Sequence, residues 1–229
     1  VALARRGDGR MRVTLARGQA VHDVSADRVV LAGPFTLLRE VDIGRAGFGA
    51  RKQKAIRELG MGRNCKLQLQ FDARAWTAMR STAETRVDDA FQTSWEVTRA
   101  QPGACGIVNC FSGGSTATRA GEGEIGERAA EALAVLDAAL PGIAARYNGR
   151  AIRNAWERYP WTRGSYALFK PGQYAQFNGA LDTPEGRVHF AGEHTSADWQ
   201  GYLNGAVESG QRAGREVATA LGVRMPKAA

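Results

Sequence analysis

The sequence predicts a mixed fold, part α/β and part α+β, in which strands from separate parts of the chain share sheets. Three observations predict it. A short apolar run, Val188, Phe190 and Ala191, breaks at Gly192-Glu193 and leads through a glycine-bearing turn into a long helix. Cys65, Leu67, Leu69 and Phe71 alternate with Lys66, Gln68 and Gln70, the period of a half-buried antiparallel strand with one face toward solvent or a cavity. Ile125, Ala129, Leu133, Leu136 and Leu140 recur at helical spacing and stop at Pro141-Gly142.

The other elements follow in order. Residues 11–15 read as a strand, with Gly18-Gln19 turning into a second one. Residues 29–32 form an apolar run cut by Gly33-Pro34, the pattern of a strand that stops at a ligand-facing loop. Residues 51–59 read as a short basic helix, and 106–111 as a strand closed by the turn Ser112-Gly113-Gly114-Ser115. In the last helix Leu203, Ala206, Val207, Gly210, Ala213, Gly214, Val217 and Leu221 make a single stripe, expected to be buried. Its Gly, Ala and Val content lets the helix approach a sheet closely. Its N-terminus, near Tyr202, offers unpaired N–H groups and a partial positive charge to an electron-rich or anionic ligand.

Composition bounds the function. The 229 residues can form one large domain or two small ones. Three cysteines, Cys65, Cys105 and Cys110, lack CxxC or CxxH spacing, so neither a zinc site nor a disulfide framework is indicated. No apolar run reaches the roughly 18–20 residues of a membrane span, and no signal-peptide core appears. The cytoplasm is the expected location, with the location otherwise open. Val1-Ala2-Leu3 does not resemble a natural start, so a segment upstream is expected. The net charge of +8 comes mainly from scattered arginines interleaved with acids, which reads as a solvated surface rather than a nucleic-acid module. Gly121-Glu122-Gly123-Glu124-Ile125-Gly126 satisfies GxGxxG literally. The polar stretch 115–120 stands where a buried strand is required, and two glutamates would repel a pyrophosphate, so it reads as a glycine-rich helix entry.

The run FAGEHTSADWQGYLNGAVESGQRAGREV, ending at Val217, resembles the C-terminal flavin-binding signature of the FAD-dependent amine oxidase family, which includes monoamine, polyamine and L-amino-acid oxidases. Residues 156–166 with Pro171-Gly172-Gln173 resemble the segment before that signature, and residues 26–34 and 64–71 its middle portion. The resemblance implies a partial FAD-binding, doubly wound (Rossmann-like) domain built from residues 1–33 and 162–229. A substrate domain with a mixed or antiparallel sheet, residues 34–161, completes the chain. It implies FAD at Gly192, Glu193, Trp199, Gly201, Tyr202 and Leu203, with Glu193 near the ribityl and phosphate region. Tyr166 and Tyr202 match the aromatic pair that sandwiches an amine against the flavin, and Trp161 and Trp156 are candidates for lining the same cavity, Trp161 as a substrate contact. The implied reaction is oxidative deamination of an amine or L-amino acid by O2, giving an imine, then an oxo product, and H2O2.

Departures from the family pattern shape these expectations. Ser165 stands where covalently flavinylated relatives carry cysteine, so FAD is expected to be non-covalent. The family's lysine near the flavin has no counterpart in residues 34–44, which hold Arg39 and Glu40, while Lys66 sits on the polar face of another strand. His189 is expected on the less buried strand face, and both His189 and His194 read as structural. The glycine fingerprint for the ADP part of FAD is missing from the chain. A second polypeptide, an N-terminal half carrying that motif, or self-association is therefore expected to cover the uncovered edge. The competing readings are a truncated or degenerate relative serving as a non-catalytic scaffold, and a flavin monooxygenase of the tryptophan-oxidising type.

Overall fold

The computed structural model describes residues 1–223. In chain order the elements are β1 (Ala2–Arg5), β2 (Met11–Arg17), β3 (Ala20–Ala26), β4 (Val29–Leu31), α1 (Phe35–Leu38), β5 (Asp42–Arg45), α2 (Ala50–Glu58) and β6 (Gly60–Met61). Then come β7 (Asn64–Phe71), β8 (Thr85–Arg86), β9 (Thr93–Glu96), β10 (Gly106–Gly113), α3 (Gly114–Gly121), α4 (Ile125–Ala139) and β11 (Tyr147–Ala155). The chain returns through β12 (Ala167–Leu168), α5 (Gln173–Phe177), β13 (Val188–Phe190) and α6 (Leu203–Ala220). Two compact units result, one from Val1–Met61 plus the chain from Tyr166 onward, the other from Gly62–Ser165.

In the first unit β3, β2, β1 and β5 form a four-stranded sheet, with β1 parallel to β5 and the other neighbours antiparallel. β13 lies parallel to β4, pairing Val188 with Val29 and Phe190 with Leu31, although the two strands are far apart in sequence. Their shared register brings the ends at Leu31 and Phe190 to one edge, where the chain breaks into loops. Leu3, Met11, Phe35, Leu38, Phe48, Ile56, Leu59, Phe177 and Phe190 fill the core. Phe35 and Phe190 meet edge to face at 6.3 Å, a geometry that suits aromatic quadrupoles.

Residues 34–61, assigned from the sequence to the substrate domain, pack with the first unit, because α1 and α2 bury their apolar faces there. The C-terminal boundary falls after Ser165. The last part of the expected 162–229 segment, residues 224–229, lies outside the described residues.

The second unit is a five-stranded antiparallel sheet in the order β11-β7-β10-β9-β8. β7 alternates as its sequence predicts, with Cys65, Leu67, Leu69 and Phe71 buried, and α4 covers that face through Ala129, Ala132 and Leu136. The stretch read as the turn 112–115 is different: β10 runs to Gly113 and α3 starts at Gly114, whose φ of +60° lets strand pass directly into helix. A helix therefore precedes the glycine-rich segment at residue 121, and the strand required by a dinucleotide fingerprint is absent there.

α6 corrects one expectation outright. Its buried residues are Gly205, Ser209, Ala213 and Ala218, whereas Leu203, Ala206, Val207, Gly210 and Gly214 of the predicted buried stripe are exposed. The helix docks through its small and polar side instead. A Cβ at Gly205 would lie 2.1 Å from the Trp199 carbonyl oxygen, so only glycine permits the approach. Among the described residues no helix is long and apolar enough to cross a membrane.

Candidate functional site

At the end of β13 the chain turns at Gly192, whose φ of +118° and ψ of 158° suit glycine alone. Its N–H donates to Ser209 Oγ on α6 at 3.0 Å, fastening the turn to the helix behind it. Glu193 follows. Its Oε1 accepts the Ala167 N–H at 2.8 Å and its Oε2 the Gly201 N–H at 2.6 Å. The carboxylate thus ties the residue after Tyr166 to the residue before Tyr202. One lone pair on each oxygen is left for a further donor.

That tie gathers the sequence-selected residues of this unit. A Cβ on Gly201, where φ is +84°, would sit 3.9 Å from the Tyr166 ring. Trp199 and Tyr202 meet edge to face at 6.4 Å. Trp199 is 50 % exposed, Tyr202 67 % and Leu203 87 %, so the aromatics stand outside the core. Tyr202 is the N-cap of α6, with extended φ of −118° and ψ of 157°, and no side chain caps the helix. The Gly205 N–H donates to the Tyr202 carbonyl at 3.1 Å, which leaves the Leu203 and Asn204 N–H groups as the open donors at this end of the helix, where the partial positive charge lies and beside Trp199 and Tyr202. Trp161 belongs to the second unit, where it is exposed.

A polar ladder backs the turn. Arg212 donates to the Phe190 carbonyl at 3.0 Å and to Thr195 Oγ1 at 2.9 Å, and pairs with Glu216 at 2.9 Å. Glu216 in turn shares a 2.8 Å bond with His189 Nδ1. His189 is buried, not on an open strand face, because α6 lies over it with this carboxylate. Ser196 Oγ donates to Glu208 and accepts the Trp199 N–H at 2.8 Å, which sets the loop against the first turns of α6.

His194 is also buried, edge-on to Phe35 at 4.5 Å. Burial, with Lys52 and Arg212 nearby, pushes its imidazole down to about 4, so it is neutral at ordinary pH. Lys52, unremarked in the sequence, is buried beneath the same strand. Its Nζ donates to the Leu181 and Thr183 carbonyls, both at 2.9 Å, and lies 3.6 Å from the Phe190 ring centroid. Burial pushes this ammonium down to about 7. Its spacing with Ala55, Ile56 and Leu59, an apolar helix face, was the signal available. Arg212 and Glu216 stand at the i,i+4 spacing of a helical ion pair, but nothing local marks their bonds to Phe190, Thr195 and His189, or that of Ser209 to Gly192, which are distant in sequence.

Arg39 is no substitute for the missing lysine. Its guanidinium caps α2, donating to the Ile56 carbonyl at 2.8 Å and the Leu59 carbonyl at 2.5 Å. Lys66 is partly exposed on β7, in the second unit. Ser165 bonds Asn64 Oδ1 through its hydroxyl. Among the described residues no three His, Cys, Asp or Glu side chains cluster as a metal site.

Comparison with known proteins identifies the family. Residues 1–218 match the family described as flavin containing amine oxidoreductase. The chain is 30 % identical over 218 residues to YobN of Bacillus subtilis (strain 168), which its name assigns provisionally to the L-amino-acid oxidases; the match covers 92 % of this chain and 45 % of that one. A stretch of 68 residues is 46 % identical to the flavin-containing amine oxidase A of Bos taurus, covering 29 % of this chain and 13 % of the relative. Among solved structures, cyclohexylamine oxidase from Brevibacterium oxydans IH-35A superposes with a TM-score of 0.83 at 24 % identity, over 96 % of this chain and 48 % of that one. Wild-type putrescine oxidase bound to putrescine gives 0.81, also at 24 % identity, over 95 % of this chain and 47 % of that one. The chain thus spans half or less of the length of these relatives.

Proposed function

The chain belongs to the flavin-containing amine oxidoreductases, and from that premise we propose that it is the C-terminal portion of an FAD-dependent oxidase deaminating an amine or an L-amino acid. The observation that carries this reading is the open N-terminus of α6, set beside exposed Trp199, Tyr202 and Tyr166 by Glu193. Bound there, FAD supplies hydride acceptance from the substrate α-carbon and reduction of O2 to H2O2, the imine hydrolysing to the oxo product. The open N–H groups of Leu203 and Asn204 would stabilise negative charge on the bound flavin. Gly192 and Gly201 would let backbone approach the cofactor, and Trp199 would help hold it. Glu193 keeps the turn in shape and offers its free lone pairs to ribityl hydroxyls. Tyr166 and Tyr202 would orient the amine. With Ser165 in place of cysteine, the flavin is held non-covalently.

We further propose that a dinucleotide-binding polypeptide, or an N-terminal half, covers the exposed apolar face of α6. Leu203, Val207 and Leu221 are 87 %, 61 % and 50 % exposed there, and isolated surface apolar residues would not line up so regularly. A non-catalytic scaffold is the second reading, favoured by the lack of a lysine in residues 34–44 and by the engagement of Arg39 with α2.

Co-purification with such a polypeptide tests both. A yellow complex that releases its flavin on acid precipitation and makes peroxide from an amine or L-amino acid supports the oxidase. A folded complex that stays colourless with excess FAD supports the scaffold.

A further inference from the structure

Apart from the flavin turn, the second unit holds an open cleft of about 520 Å³ between the end of α3 and β11. That volume is ligand-sized. Gly121, Arg153, Asn154, Trp156, Arg158 and Tyr159 line it. From this lining we infer that the cleft binds a small planar aromatic anion of the arylcarboxylate class. The inference does not depend on the proposed oxidase activity.

The charge comes first. Arg153 is fixed by donating to the carbonyls of Glu122 and Gly123, both at 2.9 Å, and of Ala120 at 3.4 Å. Those carbonyls close the C-terminal end of α3 and hold the guanidinium in place without cancelling its unit charge. Arg158 is exposed and, among the described residues, has no carboxylate partner. The carboxylate beside it in sequence, Glu157, is engaged elsewhere: Thr118 Oγ1 donates to it at 3.1 Å, and Arg63 lies 3.9 Å away. No acidic side chain lines the cleft. Two guanidiniums with no acid opposite them select an anion, and the planar fork of Arg158 suits a carboxylate.

The shape comes from the rings. Trp156 and Tyr159 meet edge to face at 6.1 Å and are 36 % and 48 % exposed, so both present ring surface to the cleft. Gly121 keeps its floor low: a Cβ there would lie 3.0 Å from Ala155 Cβ and 3.9 Å from Arg158 Cδ. An aromatic ligand gains stacking on these rings while its carboxylate reaches Arg158, and the Asn154 amide remains for a polar substituent.

Calorimetric titration of the folded chain with 1-naphthoate, 1-naphthamide and cyclohexanecarboxylate tests the assignment. Naphthoate is expected to bind at one site, with the neutral amide and the non-aromatic acid each weaker by about tenfold or more, since one lacks the charge-assisted bond and the other the ring contact. Arg158→Gln and Trp156→Ala should each weaken naphthoate by about tenfold at unchanged circular dichroism. Arg86→Gln, at an exposed arginine of β8 on the opposite edge of the same sheet from β11, should leave it unchanged. The inference is overturned if no saturable binding occurs, if naphthamide binds as well as naphthoate, or if Arg158→Gln leaves the affinity intact.

Discussion

Replacing Gly205 by alanine isolates the contact that sets the loop against α6. The new Cβ would lie 2.1 Å from the Trp199 oxygen, 2.8 Å from its carbonyl carbon and 2.9 Å from Ser196 Cβ. Two of these are backbone atoms, so the loop from Ser196 to Tyr202 must move. Overpacking of this kind costs about 1–3 kcal/mol, and a backbone clash belongs at the upper end. Alanine returns about 1 kcal/mol of helix propensity, which leaves a net loss of about 2 kcal/mol. Gly210, on the same helix, provides the control: its Cβ would meet nothing within 4 Å. Gly210→Ala should therefore stabilise the isolated chain by up to about 1 kcal/mol. In urea, with a slope of about 2 kcal/mol/M, the two variants should shift the midpoint in opposite directions, by about 1 M down and 0.5 M up. A Gly205→Ala chain as stable as the wild type would refute the close-approach reasoning.

Three further outcomes follow from the same geometry. Glu193→Gln keeps one acceptor oxygen and leaves either the Ala167 or the Gly201 N–H unpaired, so denaturation should show a loss of about 1–3 kcal/mol. Lys52 has a folded value near 7, below the ordinary 10.5, so its contribution is fully present above 10.5 and is lost as pH falls through about 7. Stability should therefore rise between those pH values, by at most about 5 kcal/mol, with the two carbonyl bonds and the Phe190 ring holding the charged form and reducing the gain. Lys52→Met should flatten the rise, and an unchanged slope in pH-dependent denaturation would remove Lys52 as its source. His194, pushed to about 4, should show no imidazole titration between pH 5 and 8 by NMR; a midpoint in that range would contradict its burial.

Legibility in the sequence followed the range of the interactions. The alternation of Cys65 to Phe71 and the stop at Pro141-Gly142 are local signals, and the strand and helix they predict are present. The strand at residues 29–32 was visible as an apolar run, and its parallel partner β13 follows from the pairing of their ends. Periodicity marked the apolar face of α6 but carried no information on which face is covered. The helix docks through Gly205 and Ser209, where a carbonyl and a backbone N–H approach it, and these partners are set by tertiary folding. The same limit explains His189: alternation placed it opposite Val188 and Phe190, yet Glu216 of α6 buries it. Phe35 and Ile56 likewise find their apolar partners far along the chain, in the core of the first unit, which no local pattern near residue 33 signals.

The central claim is that the open first turn of α6 binds the flavin through its N–H groups, and Leu203→Pro tests it most directly. Proline is tolerated at the first helical position, and Tyr202 already has the extended backbone, φ −118° and ψ 157°, that a residue before proline requires. The substitution thus removes one donor with little disturbance to the helix. In a complex with the proposed dinucleotide-binding polypeptide, FAD affinity followed at 450 nm should fall about tenfold or more while Tm stays within a few degrees. Wild-type affinity for FAD in the Leu203→Pro complex would contradict the account.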